Sequence, residues 1–64
     1  MVLRQFLDVY QSNKLLRLCN WKTNEVIWNY ADKSYVQPEY MNWEVMHVLP
    51  GYDIVNVVIR NLED

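Results

Sequence analysis

The chain has 64 residues, 52% of them hydrophobic and 14% aromatic, with six basic and eight acidic side chains and a net charge of −2. Its one cysteine, Cys19, excludes an intrachain disulfide, and Cys19 with His47, the only histidine, falls short of the roughly four donors a structural zinc takes. The single glycine, Gly51, excludes a glycine-rich phosphate loop, and the well-mixed charges lack the basic stripe of a general nucleic-acid binder.

A domain of this length buries only about 60% of the surface its unfolded chain exposes. Without disulfides or a metal, stability has to come from dense packing or from self-association. The aromatic content favours packing, because each large ring buries ~150–250 Å². High hydrophobicity with low net charge predicts a folded chain. The longest apolar runs, Met1–Leu3 and Val57–Ile59 among them, are three residues each. That predicts neither a membrane-spanning helix of ~20 residues nor the ~7–15-residue apolar core of a signal peptide. A lone cysteine fits a reducing compartment, so the expected location is the cytoplasm.

Leu3, Phe6, Leu7 and Tyr10 recur at helical spacing, which predicts an amphipathic helix over residues 2–11. Arg4, Gln5, Asp8 and Gln11 take its opposite face. No Ser, Thr, Asp or Asn precedes it, so its first turn is expected to fray. Ser12-Asn13 punctuates the chain. Residues 14–20 and 25–31 alternate with the period of a strand and read as a hairpin. In the second strand Val26, Trp28 and Tyr30 are expected on one face. Trp21-Lys22-Thr23-Asn24 makes the turn, with Asn24 suited to the left-handed region. The connection 32–42 is expected to hold a short helical turn started by Pro38 and carrying Glu39, Tyr40 and Met41, with Val36 and Met41 packed on the sheet. Residues 43–49 and 54–60 read as a second hairpin around Pro50-Gly51-Tyr52-Asp53. The β-branched run of the last strand suits a central or well-covered strand. Asn61–Asp64 is a polar tail.

The order is α-β-β-short α-β-β. It predicts an α+β domain of residues 1–64, with the N-terminal helix packed on a four-stranded, mostly antiparallel sheet. One helix covers one sheet face, so the other face should be polar. Here it retains apolar and aromatic residues.

The chemistry-bearing side chains do not assemble into a catalytic set. His47, expected on one face with Val45 and Leu49, has no orienting partner for nucleophilic chemistry with Cys19, Ser12 or Ser34. Cys19 reads as an inert, buried thiol. Asp32, Glu39, Glu44 and Asp53 form no spaced metal motif. The expectation is a non-enzyme without cofactor or metal. Trp21 and Tyr52 in turns, Tyr35 and Tyr40 in the connection, and Trp28 and Trp43 on strands, with Arg17 and Arg60, have the composition of protein-binding hot spots. A contiguous exposed patch of them would mark a binding surface. About half of the aromatics are expected to fill the core.

Leu3-Arg4-Gln5-Phe6-Leu7-Asp8, Leu16-Arg17-Leu18, Val26-Ile27-Trp28 and Pro38-Glu39-Tyr40-Met41-Asn42-Trp43-Glu44-Val45 form a pattern across nearly the whole chain. It resembles short proteins of unknown function carried by phages and mobile elements of Gram-positive bacteria. It departs from them at Val2, where a capping Thr or Ser is usual. The resemblance implies, by analogy, a binding protein that blocks a host component such as a defence protein, inside the host cell. The alternatives are a homo-oligomer that sequesters a small nucleotide-type ligand between Tyr or Trp rings with Arg17 or Arg60 on its phosphate, and a structural accessory protein. Self-association as a homodimer or larger homo-oligomer is expected from unpaired sheet edges. A membrane partner is not expected, and a nucleic-acid partner is disfavoured by charge.

Overall fold

The computed structural model describes residues 1–11 and 13–63. Its elements are α1 (Leu3–Val9), β1 (Leu15–Asn20), β2 (Val26–Tyr30), two 3-10 turns (Lys33–Tyr35 and Pro38–Tyr40), β3 (Glu44–Pro50) and β4 (Ile54–Arg60). The four strands form one sheet in the order β2-β1-β4-β3. Both hairpins are antiparallel, as their turns require, and they meet along a parallel β1–β4 pair. The fold is α+β with the predicted element order, on a mixed sheet.

The centre of the sheet goes to the strands richest in apolar and β-branched residues. Leu16 and Leu18 of β1 and Val55, Val57 and Ile59 of β4 are buried, together with Leu3 and Leu7 of α1, Tyr30 and Val36. Alternation along β1 and β4 puts these residues on the face toward the helix. Val36 is buried and Met41 packs against this core, as their spacing in the connection predicts. The sequence predicts one helical turn there; the chain makes two. The extra turn, Lys33–Tyr35, starts where the Asp32 carboxylate accepts from the Ser34 amide at 2.8 Å. That bond holds the Asp32 carboxyl below its ordinary range.

The expected fraying of α1 does not occur. The first helical amides are satisfied from a distant segment: Leu3 N donates to Trp43 O (2.8 Å) and Arg4 N to Met41 O (3.0 Å). The Gln5 side chain accepts from Val2 N at 3.0 Å, the only half of a capping box that a valine cap permits. At the other end, Lys33 Nζ donates to Leu7 O (2.7 Å), which also accepts from the Tyr10 amide, and to Tyr10 O (2.9 Å), placing a cation on the C-terminal carbonyls of the helix. The N-terminal residues also pair with β3, through a Val2–Glu44 bridge and Val45 N to Met1 O at 2.8 Å.

Two bulges change which residues share a face. In β3 the ladder passes from Val45 opposite Ile59 to His47 opposite Val58. Successive β4 residues point to opposite faces, so His47 is turned away from Val45, contrary to the shared face that simple alternation predicts. In β2 the ladder passes from Trp28 opposite Leu18 to Val26 opposite Cys19. The expected Val26–Trp28–Tyr30 row is therefore broken, and Ile27 packs against the core. Asn24 adopts φ 60°, the left-handed conformation its turn needs. Pro50 ends β3 rather than presetting the turn. Gly51 does not use a positive φ. Its value is space: a Cβ there would lie 2.8 Å from the Ile54 carbonyl oxygen, to which Gly51 N donates at 2.7 Å. Of the punctuation Ser12-Asn13, Ser12 lies outside the described residues, as does Asp64 of the tail.

Candidate functional site

The face of the sheet opposite α1 carries no helix. β1 contributes Leu15, Arg17 and Cys19 to it, β4 contributes Ile54, Asn56, Val58 and Arg60, and β3 contributes Glu44, His47 and Leu49. The face is mixed, which explains why the sequence could not be divided into one apolar and one polar surface. Arg17 sits at its middle, level with Asn29 on one side and Asn56 on the other. Its Nε donates to Asn29 Oδ1 at 3.0 Å, which fixes the guanidinium over the sheet. Asn56 in turn lies opposite Leu49.

Trp21 extends this face just beyond β1. Its amide continues the parallel ladder by donating to Ile59 O at 2.8 Å, and its indole tilts against the His47 imidazole at 5.7 Å between centroids. The bulge that turned His47 outward makes this contact possible. Trp21 remains 46% exposed. Together with Asn20, Lys22, Arg60 and Asn61 it lines a cleft of about 260 Å³. Three cations, Arg17, Lys22 and Arg60, thus belong to this face and its rim. Glu44, opposite Arg60, is the one carboxylate at those strand positions.

The sequence-predicted residues separate into three groups. Trp21 and Arg60 line one cleft, and Arg17 shares their face four strand positions away, level with Asn56. Tyr40 and Trp43 pack edge to face at 5.1 Å between centroids and are half-buried against the core, where the Trp43 carbonyl also caps α1. Trp28, Tyr35 and Tyr52 are exposed and lie apart. Trp28 shares the helix-side face with Tyr30 but stands on the outermost strand, where it is 65% exposed. Tyr35 is 71% exposed on the first 3-10 turn and Tyr52 is 91% exposed on the β3–β4 turn, the end of the sheet remote from Trp21. Among the described residues these aromatics do not form one contiguous patch. The ring contacts there join Phe6 to Tyr10, Trp21 to His47 and Tyr40 to Trp43.

Lys22, Asn29, Asn56 and His47 were not among the site residues expected from sequence. Arg17 and Asn56 both occupy the polar phase of strand alternation, a readable signal. Their adjacency depends on β1 and β4 pairing, which local pattern does not specify. Cys19 is a free, half-buried thiol between Val26 and Val58. No three His, Cys, Asp or Glu side chains converge as a metal site among the described residues. No helix there is long and apolar enough to cross a membrane.

Comparison with protein-family models, with curated proteins and with solved structures found no match. What this face can do therefore rests on its own chemistry. It offers an aromatic ring, a guanidinium held by Asn29 and two further cations at and beside the strands.

Proposed function

We propose that the chain is a non-enzymatic binding protein that engages an acidic protein surface through the helix-free face of its sheet. The observation that carries this reading is the cleft that joins Trp21 to Lys22 and Arg60, with Arg17 farther along the same face, on a chain whose net charge is −2. Charge of one sign gathered against the overall balance favours encounter with a carboxylate-rich patch. Trp and Arg are also the side chains most often responsible for interface energy. The resemblance to phage and mobile-element proteins makes a host protein, including a defence protein, the partner class, and inhibition by occlusion the mechanism. The setting is then the host cytoplasm.

The test uses the tagged chain and an Arg17→Glu/Arg60→Glu variant as parallel baits in a Gram-positive host lysate, with mass spectrometry of what is retained. One protein held stoichiometrically by the native chain, and at least tenfold less by the variant or at high salt, is the expected result. Retention indifferent to both charge reversal and salt removes this face as the interface.

The cleft beside Trp21 also favours a second reading, an oligomer sequestering a small nucleotide, with the indole stacking a base and Lys22 or Arg60 on phosphate. It ranks second on size, since about 260 Å³ lies below the ~300 Å³ at which small-molecule sites begin. Calorimetry against cyclic and linear nucleotides decides it; heat that disappears in Trp21→Ala would promote this reading.

A further inference from the structure

The two edges of the sheet are managed differently. The β3 edge is paired at its start with Met1 and Val2, bulged between Val45 and His47, and ended by Pro50, which has no amide to offer. Each of these is a device that blunts an edge. The β2 edge, Val-Ile-Trp-Asn-Tyr, contains no charge and no proline, and its bulge at Ile27 leaves Trp28–Tyr30 regular.

The hydrogen-bond phase of that edge follows from the ladder. At both ends of the parallel pair, odd-numbered β1 positions bond to β4: Leu15 N to Asp53 O at 3.1 Å and Trp21 N to Ile59 O at 2.8 Å. The even-numbered Leu16 and Leu18 therefore bond to β2, where they face Tyr30 and Trp28. Asn29, between those two, points its amide and carbonyl out of the sheet.

The geometry points to a homodimer formed by antiparallel pairing of β2 with β2 of a second copy, about a two-fold axis at Asn29. In this register the two Asn29 residues exchange both backbone hydrogen bonds. Trp28 of each copy lies across from Tyr30 of the other, which covers the most exposed ring on any strand. The paired strand itself, Val26–Tyr30, carries no charged side chain, so no like charges meet. A second copy satisfies this uncharged edge because the pairing is self-complementary. With the other edge blunted, the assembly closes at two copies.

Sedimentation equilibrium of the full chain, from about 1 μM to about 1 mM, is expected to show a mass rising from 7.8 kDa to twice that value. Asn29→Pro removes the outward amide without costing a bond to β1 and should remain monomeric. Asn29→Ala loses the same side chain but keeps the amide, and should dimerise. Should Asn29→Pro fail to fold, amide exchange of the native chain decides: the Asn29 amide should slow at least tenfold between the ends of the concentration range. A monomer throughout, a dimer indifferent to Asn29→Pro, an assembly larger than two, or Asn29 exchange independent of concentration would each overturn the proposal.

Discussion

Single side chains in this domain serve as connectors between distant segments. Lys33 carries a charge to the C-terminal carbonyls of α1, bonding Leu7 O and Tyr10 O at once. Lys33→Met keeps the aliphatic stem and loses both bonds, and should cost about 1–2 kcal/mol in urea unfolding. The Tyr30 ring is buried in the core, and its hydroxyl lies near the Gln37 backbone without a well-formed hydrogen bond among the described residues. Burial pushes this phenol above its usual value, with the neighbouring Tyr40 and Glu39 adding to the rise and the Gln37 backbone opposing it in part. A raised folded-state pKa means the stabilising contribution is complete below the unfolded value of about 10 and is lost as pH climbs through the folded value. Urea unfolding followed by circular dichroism should therefore show a lower midpoint above about pH 10 than at neutral pH. Tyr30→Phe should remove that contribution, and at neutral pH it should change stability little, because the only polar contact given up is the weak one to the Gln37 backbone. A Tyr30→Phe chain clearly weaker at pH 7 would mean the hydroxyl has a partner in solution.

Elements here are short, and each depends on another for its ends. Seven residues of α1 span about 10 Å, too little to cross four strands, so the helix lies nearest β3 and leaves the helix-side face of β2 to the connection. Trp28 stays exposed for that reason. The β3–β4 turn is constrained by space at Gly51. Gly51→Ala forces its Cβ against the Ile54 carbonyl, a backbone atom that cannot swing aside. It should destabilise the domain by about 1–3 kcal/mol in thermal or urea unfolding. An unchanged midpoint would show that the turn has room to relax. In the first 3-10 turn the Asp32 cap should dissolve in acid. The Ser34 amide resonance should shift with a midpoint below 3.8, the ordinary value for this carboxyl. A lowered folded-state pKa gives a contribution that is present above the unfolded value and lost as pH falls through the folded one.

At the scale of the whole molecule there is one core, and it is small. Leu18 and Val57 lie at its centre, fully buried and opposite each other on the parallel pair. Leu18→Ala should cost about 2–5 kcal/mol, against a stability of about 3–5 kcal/mol for a domain this size. The expected outcome is a chain unfolded or nearly so at 37 °C by circular dichroism; a variant with a near-native melting curve would mean that association or a second cluster contributes much of the stability. The open sheet face contributes less to this core, since Leu49 and Leu15 remain exposed there. It is left available for a partner.

Local pattern in the chain was enough to determine the element order, both hairpins, the left-handed turn at Asn24, the Pro38 turn and the buried phase of β1 and β4. Each of these follows from the spacing of apolar side chains or from the backbone preference of one residue, and both are carried by neighbours in sequence. Tertiary structure alone decided the rest. The parallel β1–β4 pairing brings Arg17 beside Asn56 from positions far apart in the chain. The bulge in β3 reverses the face of His47 and brings it to Trp21. The carbonyls of Met41 and Trp43 cap a helix that has no capping side chain of its own. Register, bulges and long-range caps depend on which strand lies alongside which, and a local periodicity contains no term for that.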